Sequence, residues 1–224
     1  MRKTAVVFII SLMIFSCSSK EAQSPDFLYG SKVYANFVDY YLKGKPILAQ
    51  AAFNKAEYQF LSMDAMCNLS RIYIGRFVLE EGGEDQTALE KANNYASLGS
   101  CQNEIEAVKY LSGVNYDKKL LPEPYSEIAG ADGEKLINLS DNKELPDYTR
   151  TRLLRNAAIG YIMSDAPLAE ELAERALVID RFNGWSLNIL RDLTIIKAAA
   201  EKQEKDTLDI EKRIGLVKAV LNKK

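Results

Sequence analysis

The chain has 224 residues, with 29 basic and 31 acidic side chains and no histidine. This near balance of charge leaves no strongly basic face, so we do not expect nucleic acid as a partner. Histidine is the usual general base and the commonest metal ligand, and its absence disfavours serine hydrolases, cysteine hydrolases and zinc sites. We therefore predict a protein that is not an enzyme and has no catalytic residue, metal site or cofactor, although carboxylate-based or lysine-based catalysis stays open.

The first residues have the pattern of an export signal. A basic Arg-Lys pair comes after the initial methionine, an apolar stretch over 4–15 follows, and a small residue precedes Cys17. This order is typical of a secretory signal, and the apolar stretch is shorter than the ~20 residues that a membrane-spanning helix needs. We predict a signal peptide over 1–16, with residues 17–26 as a polar tether before the folded domain.

The residues around Cys17 resemble the cleavage motif of bacterial lipoproteins. Ile14, Phe15 and Ser16 stand before the cysteine, where that family has an aliphatic residue and then small residues. The resemblance implies that lipid is attached to Cys17, so that the membrane is a partner through the lipid anchor. Ser18, in place of an aspartate, implies the periplasmic face of the outer membrane, with the inner membrane as the alternative. An ordinary signal peptide that is cut nearby, leaving a free Cys17, is the other interpretation.

Apolar residues recur at helical spacing along most of the chain, whereas alternating strand patterns are scarce. Gly44 with Pro46, and Asn183 with Gly184, are breaks of the kind that end one helix and begin the next. The predicted helices cover 27–43, 46–61, 64–79, 85–98, 101–112, 147–163, 166–180, 184–202 and 206–222, with a short one at 134–139.

The segment 113–146 differs from the rest, because Pro122, Pro124 and Pro146 interrupt any helical pattern. We therefore predict a helical domain over 27–222 that is divided by an irregular connection. A connection of this length inside a compact domain is either functional or poorly ordered.

Small and aromatic residues recur with the spacing of a helical repeat. Tyr40 is followed by Ala49, Phe53 and Ala56, and Tyr73 comes 33 residues after Tyr40. The second half offers similar positions: Leu154, Ala157, Ala158, Tyr161, Ala169, Ala173 and Ala176. The pattern resembles the tetratricopeptide repeat, and the enlarged turn within the second unit, around Gly82-Gly83, resembles the Sel1-like repeat. The resemblance implies an all-α fold, an α-solenoid of imperfect helix-turn-helix repeats, with a non-repetitive helical bundle as the alternative.

The hypothesis about function also rests on the resemblance to helical repeats. Stacked helical pairs present an extended concave face that suits a protein or peptide. The resemblance therefore implies a non-catalytic scaffold or assembly factor that binds a protein partner in the cell envelope. A closed helical array can instead enclose a pocket, and the alternative function is a small-solute-binding periplasmic lipoprotein that serves a transporter. A buried, largely apolar cavity with few polar groups would favour that alternative.

Cys67 and Cys101 are the cysteines beside Cys17, and they lie 34 residues apart. An oxidising compartment would allow them to form a disulfide. Their spacing matches one repeat, and equivalent positions of stacked repeats lie about 8–10 Å apart, which is beyond disulfide reach. A disulfide and two separate buried thiols both stay open, and the spacing argues against the disulfide.

Two further sets of residues invite a functional interpretation. The twelve tyrosines fill packing positions or line a binding surface, and the sequence alone does not separate these roles. Glu80, Glu81, Glu84 and Asp85 surround a Gly-Gly pair but lack the spacing of a calcium loop. We expect this acidic turn to be a solvated loop.

Overall fold

The computed structural model describes residues 24–80 and 86–222, and within these ranges it contains helices and no strand. This confirms the predicted all-α class. None of the described helices combines the length and the apolar character needed to cross a membrane. The helices are α1 (Pro25–Leu42), α2 (Pro46–Ser62), α3 (Met66–Leu79), α4 (Gln86–Leu98), α5 (Gln102–Leu111), α6 (Tyr125–Ile128), α7 (Gly133–Ser140), α8 (Asp147–Tyr161), α9 (Ala166–Asn183), α10 (Ser186–Lys202) and α11 (Leu208–Leu221), with a 3₁₀ turn at Lys118–Leu120.

Local signals set the helix ends. α1 begins where the Ser24 hydroxyl accepts a backbone N–H hydrogen bond at 3.2 Å, and the Asp165 carboxylate caps α9 in the same way at 3.1 Å. α9 ends at Gly184, whose φ of 69° suits glycine best. The sequence prediction ended this helix at residue 180, which is wrong, because the helix continues to Asn183 and stops only at the glycine.

The first half is built around an aromatic core. α1 packs on α2, and α3 packs on α4. One ring from each helix joins a ladder of Phe37, Phe53, Tyr73 and Tyr95, with successive centroids 5.0, 5.0 and 5.7 Å apart. Because each ring contacts the ring from the next helix, the ladder joins the first two hairpins into one unit.

In the second half, small side chains lie where the helices cross, among buried leucines and isoleucines. α7 packs on α8, α8 on α9, and α9 on α10. Ala158, Ala173, Ala176 and Ala199 are completely buried at these crossings. Small residues allow the helix backbones to approach closely, so this core has little room for larger side chains.

The connection over 113–146 contains two short helices, α6 and α7. Glu106 of α5 accepts hydrogen bonds from Lys109 Nζ and from the backbone N–H of Asp117, both at 2.7 Å, and these contacts lower the pKa of Glu106. They fix the start of the connection against α5. The later part of the connection contains α7, which packs on α8 and confirms the short helix predicted at 134–139.

The last helices return to the first hairpin. α10 packs against α1, and the Trp185 indole N–H at the start of α10 donates to Asp39 at 3.1 Å. Arg191 of α10 donates to the backbone carbonyl of Leu79 at 3.1 Å. The two halves therefore enclose the space between them, where an open solenoid would present a groove.

Candidate ligand cavity between the two halves

A partly enclosed cavity of about 180 Å³ lies where the two halves meet. α1, α3 and α5 contribute one wall, residues around α6 contribute a second, and α8 and α10 contribute the third. Most of the surface is apolar, from side chains that include Val38, Leu42, Val78, Leu111, Ile128 and Leu153. An engineered cavity of about 150 Å³ in another protein holds benzene, so this one suits about six to ten non-hydrogen atoms and is too small for a peptide.

Four tyrosines line the cavity: Tyr34, Tyr110, Tyr125 and Tyr148. Burial is the main cause that raises the pKa of all four phenols, to about 12 for Tyr125. The phenols therefore stay protonated at neutral pH, and each hydroxyl is able to donate a hydrogen bond. Among the described residues, none forms a hydrogen bond with the hydroxyls of Tyr34, Tyr110 or Tyr125.

Three arginine side chains also reach the cavity, from Arg152, Arg155 and Arg191. Arg152 lies close enough to Tyr110 and Tyr125 to lower pKa values that burial raises. The hydrogen-bonding part of the wall is thus arranged around a guanidinium and neighbouring phenols.

Arg155 belongs to a buried ion cluster behind the cavity wall. Its guanidinium donates to Asp180 at 2.7 Å and to Asp192 at 3.2 Å, and both aspartates are fully buried. The Asn188 amide also donates to Asp180, at 3.2 Å. Burial raises the pKa of Asp192 to about 8, although the positive charge of Arg155 opposes this. We therefore expect Asp192 to hold a proton at neutral pH, which leaves the cluster without net charge.

The structure separates the two roles that the sequence left open for the tyrosines. Tyr73 and Tyr95 belong to the aromatic ladder of the first core. Tyr34 and Tyr125 line the cavity, and Tyr125 comes from the connection between the halves. The roles depend on which helix lies opposite each ring, and that information is not local in the sequence.

Cys67 and Cys101 form a disulfide, with Cα atoms 5.6 Å apart. The expected separation of 8–10 Å is therefore wrong. Cys67 lies in the first turn of α3 and Cys101 lies in the turn before α5, so they are not equivalent positions of stacked repeats. Glu104 lies beside the two sulfur atoms, but it accepts from Arg71 at 2.6 Å, and sulfurs bonded to each other offer no thiolate to a metal.

Several predicted features lie outside the described residues. These are the signal peptide over 1–16, the lipid attachment residue Cys17, and positions 81–85 of the acidic turn. Glu80, the remaining member of that turn, forms an ion pair with Arg76 at 3.0 Å. The last residues of the predicted tether belong to α1, which begins at Pro25.

Sequence reasoning missed the arginines of the cavity and the buried ion cluster. A signal for the cluster was present, because Asp180 lies on the apolar stripe of α9, one turn after Ala176 and Leu177. Asp192 similarly lies one turn before the buried Ile196 of α10. A charged residue within the buried stripe of a helix indicates a buried ion pair or hydrogen-bonded partner.

Comparisons with known proteins identify no relative of this chain. No family model matches it, and neither a curated protein nor a solved structure does. The resemblances to lipoproteins and to helical repeats stay predictions, and the function is therefore argued from the cavity.

Proposed function

We propose that the mature chain is a lipid-anchored protein of the cell envelope that binds a small solute in the cavity between its two halves. The observation that carries this proposal is the return of α10 to α1, which places a cavity where an open array would have a groove. A largely apolar wall with a few polar groups is the usual composition of small-molecule sites. The proposal corresponds to the alternative function from the sequence, an accessory subunit that presents solute to a transporter.

The outer surface of α9 supports the other hypothesis, a scaffold that binds a protein partner. Val178 and Phe182 are 67% and 89% exposed and lie one turn apart on this helix. Neighbouring apolar side chains with this exposure favour contact with another protein. A protein partner on the outer face of α9 is therefore the second candidate function, and it is compatible with a solute in the cavity.

The membrane location and the repeat family are proposed from the sequence pattern. We propose that lipid on Cys17 anchors the chain at the periplasmic face of the outer membrane. Degenerate tetratricopeptide-like or Sel1-like repeats are proposed for the hairpins, with support from Ala49, Phe53 and Ala56, which are buried where α2 packs. Incorporation of radiolabelled palmitate that is lost in the variant Cys17→Ser would support the anchor, and equal incorporation would contradict it.

A matched pair of tryptophan substitutions tests the solute proposal. Thr149 lines the cavity, whereas Thr194 is exposed on α10. We expect Thr149→Trp to fill the cavity and displace the solute, and Thr194→Trp to leave the solute in place. Each chain would be purified from its own host, and the small molecules released on denaturation would be quantified by mass spectrometry.

One molecule should accompany the unaltered chain and Thr194→Trp, and its amount should fall at least about tenfold in Thr149→Trp. Equal amounts of every small molecule in all three preparations would contradict the proposal. Cross-linking through positions on the outer face of α9 would then test the protein-partner function.

A further inference from the structure

We infer that the outer face of the first hairpin, α1 with α2, lies against the membrane surface that holds the lipid anchor. This inference rests on the proposed anchor at Cys17 and goes beyond the proposed binding of a solute. The outer face is the exposed side of the two helices, and its large apolar side chains include Leu28, Tyr29, Ile47, Leu48 and Tyr58.

The apolar side chains form one continuous face. Tyr29 of α1 and Lys55 of α2 lie side by side, with the Lys55 ammonium nitrogen 5.1 Å from the centre of the Tyr29 ring. Tyr58 comes one turn after Lys55, and Ile47 comes about three turns before Tyr58, so all three lie on the same side of α2. Ile47 is 78% exposed and Tyr58 is 72% exposed. The apolar surface therefore extends along most of the hairpin.

The composition of the outer face fits the surface of a bilayer. The outermost helices of a helical stack normally present polar side chains to water. On this hairpin, Asp26 is the only exposed carboxylate of α1, and α2 has no exposed carboxylate. Lys32 and Lys55 are exposed on the same side as the apolar residues. Tyrosines, aliphatic side chains and lysines together favour the membrane interface, where phenols and ammonium groups lie at the level of the headgroups.

The position of the anchor places the outer face close to the membrane. Seven residues separate the start of the mature chain at Cys17 from Ser24, and they span at most about 25 Å. α1 begins at Pro25, so Leu28 and Tyr29 lie in its first two turns. Once the lipid is inserted, this short tether keeps the face at a high effective concentration near the bilayer, and even weak contacts then become favourable.

The test couples the mature chain through Cys17 to a maleimide lipid in vesicles of phosphatidylcholine and phosphatidylglycerol. Tyr58→Trp places a fluorescent reporter on the outer face, and Met163→Trp places the control reporter in the exposed turn between α8 and α9. Trp185 is buried and adds the same background to both variants. When the acyl chains of the lipids carry bromine, which quenches tryptophan, the Tyr58→Trp reporter should lose about half of its fluorescence, and the control should lose less than about a tenth.

A second pair of substitutions tests whether the apolar side chains hold the face on the membrane. Leu28→Gln together with Ile47→Gln should reduce the quenching of the Tyr58→Trp reporter at least about twofold, because less apolar surface enters the interface. Both positions are exposed, so the substitutions should leave the fold intact.

The outcomes separate this inference from the proposed anchor and from the proposed solute binding. Equal quenching of the two reporters, or no quenching of either, would overturn the inference and leave the anchor to the palmitate experiment. A dimer in solution that Tyr58→Gln dissociates would show that a second copy of the chain covers the face, which would also overturn the inference. Absence of palmitate on Cys17 would overturn the anchor and the inference together. The solute released from the cavity depends on none of these results.

Discussion

In the first half of the molecule, four aromatic rings and a disulfide join helices α1 to α5, whereas in the second half alanines and a buried ion cluster join α8 to α10. The ladder from Phe37 to Tyr95 excludes water through large apolar surfaces. The second core combines buried alanines with leucines and isoleucines, and Arg155 lies beside it between two aspartates.

Because their cores differ, the two halves should respond to different conditions. Ring contacts and a covalent bond involve no group that changes charge near neutral pH. The ion cluster contains Asp192, whose pKa burial raises to about 8, so the second half should respond to pH in the ordinary range. Because the cavity takes its walls from both halves, a change in either one should alter its shape.

The largest effect is expected from breaking the ion cluster. Arg155→Met removes the only positive charge that contacts Asp180 and Asp192 in the described cluster, and should lower the free energy of unfolding by about 3–5 kcal/mol. The control is Arg175→Met, whose exposed pair with Asp141 should contribute about 0–1 kcal/mol. Urea unfolding at neutral pH provides the comparison, and a loss below about 1 kcal/mol for Arg155→Met would show that the cluster does not stabilise the second half.

Removing the disulfide should have the next largest effect. Replacing Cys67 and Cys101 together by alanine opens a loop of 34 residues and should cost about 2–4 kcal/mol, because the unfolded chain regains conformational freedom. Urea unfolding with and without a reductant measures this loss. The reductant should destabilise the unaltered chain and have no effect on the double variant, and a reductant effect of equal size in both would contradict the assignment.

Overfilling the alanine core should have a smaller effect. Ala173 is completely buried between helices, so Ala173→Leu should destabilise the second half by about 1–3 kcal/mol. Val178→Leu on the exposed face of the same helix should stay within about 0.5 kcal/mol. Thermal unfolding of both variants checks the contrast, and a neutral Ala173→Leu would mean that the core is looser than described.

The free energy of unfolding should also depend on pH, and its change for each pH unit should be smaller than the losses above. The folded pKa of Asp192 lies above its unfolded value, so the folded state holds a proton that the unfolded state releases above about pH 4. This contribution to stability is complete below about pH 4 and is lost as the pH rises through about 8, by roughly 1 kcal/mol per pH unit. Asp192→Asn should flatten the profile of unfolding free energy between pH 5 and pH 8, and an unchanged slope in that variant would exclude Asp192 as the cause.

The helices could be predicted from the sequence because the residues that begin, continue and end them are close together in the chain. Apolar periodicity and breaks such as Gly44 and Gly184 located each long helix to within a few residues. The cavity could not be predicted from the sequence, because it depends on the packing of α10 against α1, two segments that are far apart in the chain. Repeat spacing gives the wrong distance for the disulfide for a related reason, because Cys101 lies in a turn and not at a repeat position of a helix.

The claim that the space between the halves is a small-solute site is best tested by a crystal structure of the mature chain purified from its own host. We predict electron density for a small molecule in the cavity, in contact with Val38, Leu42 and Tyr125. A cavity that is collapsed or filled by the protein's own side chains would contradict the claim.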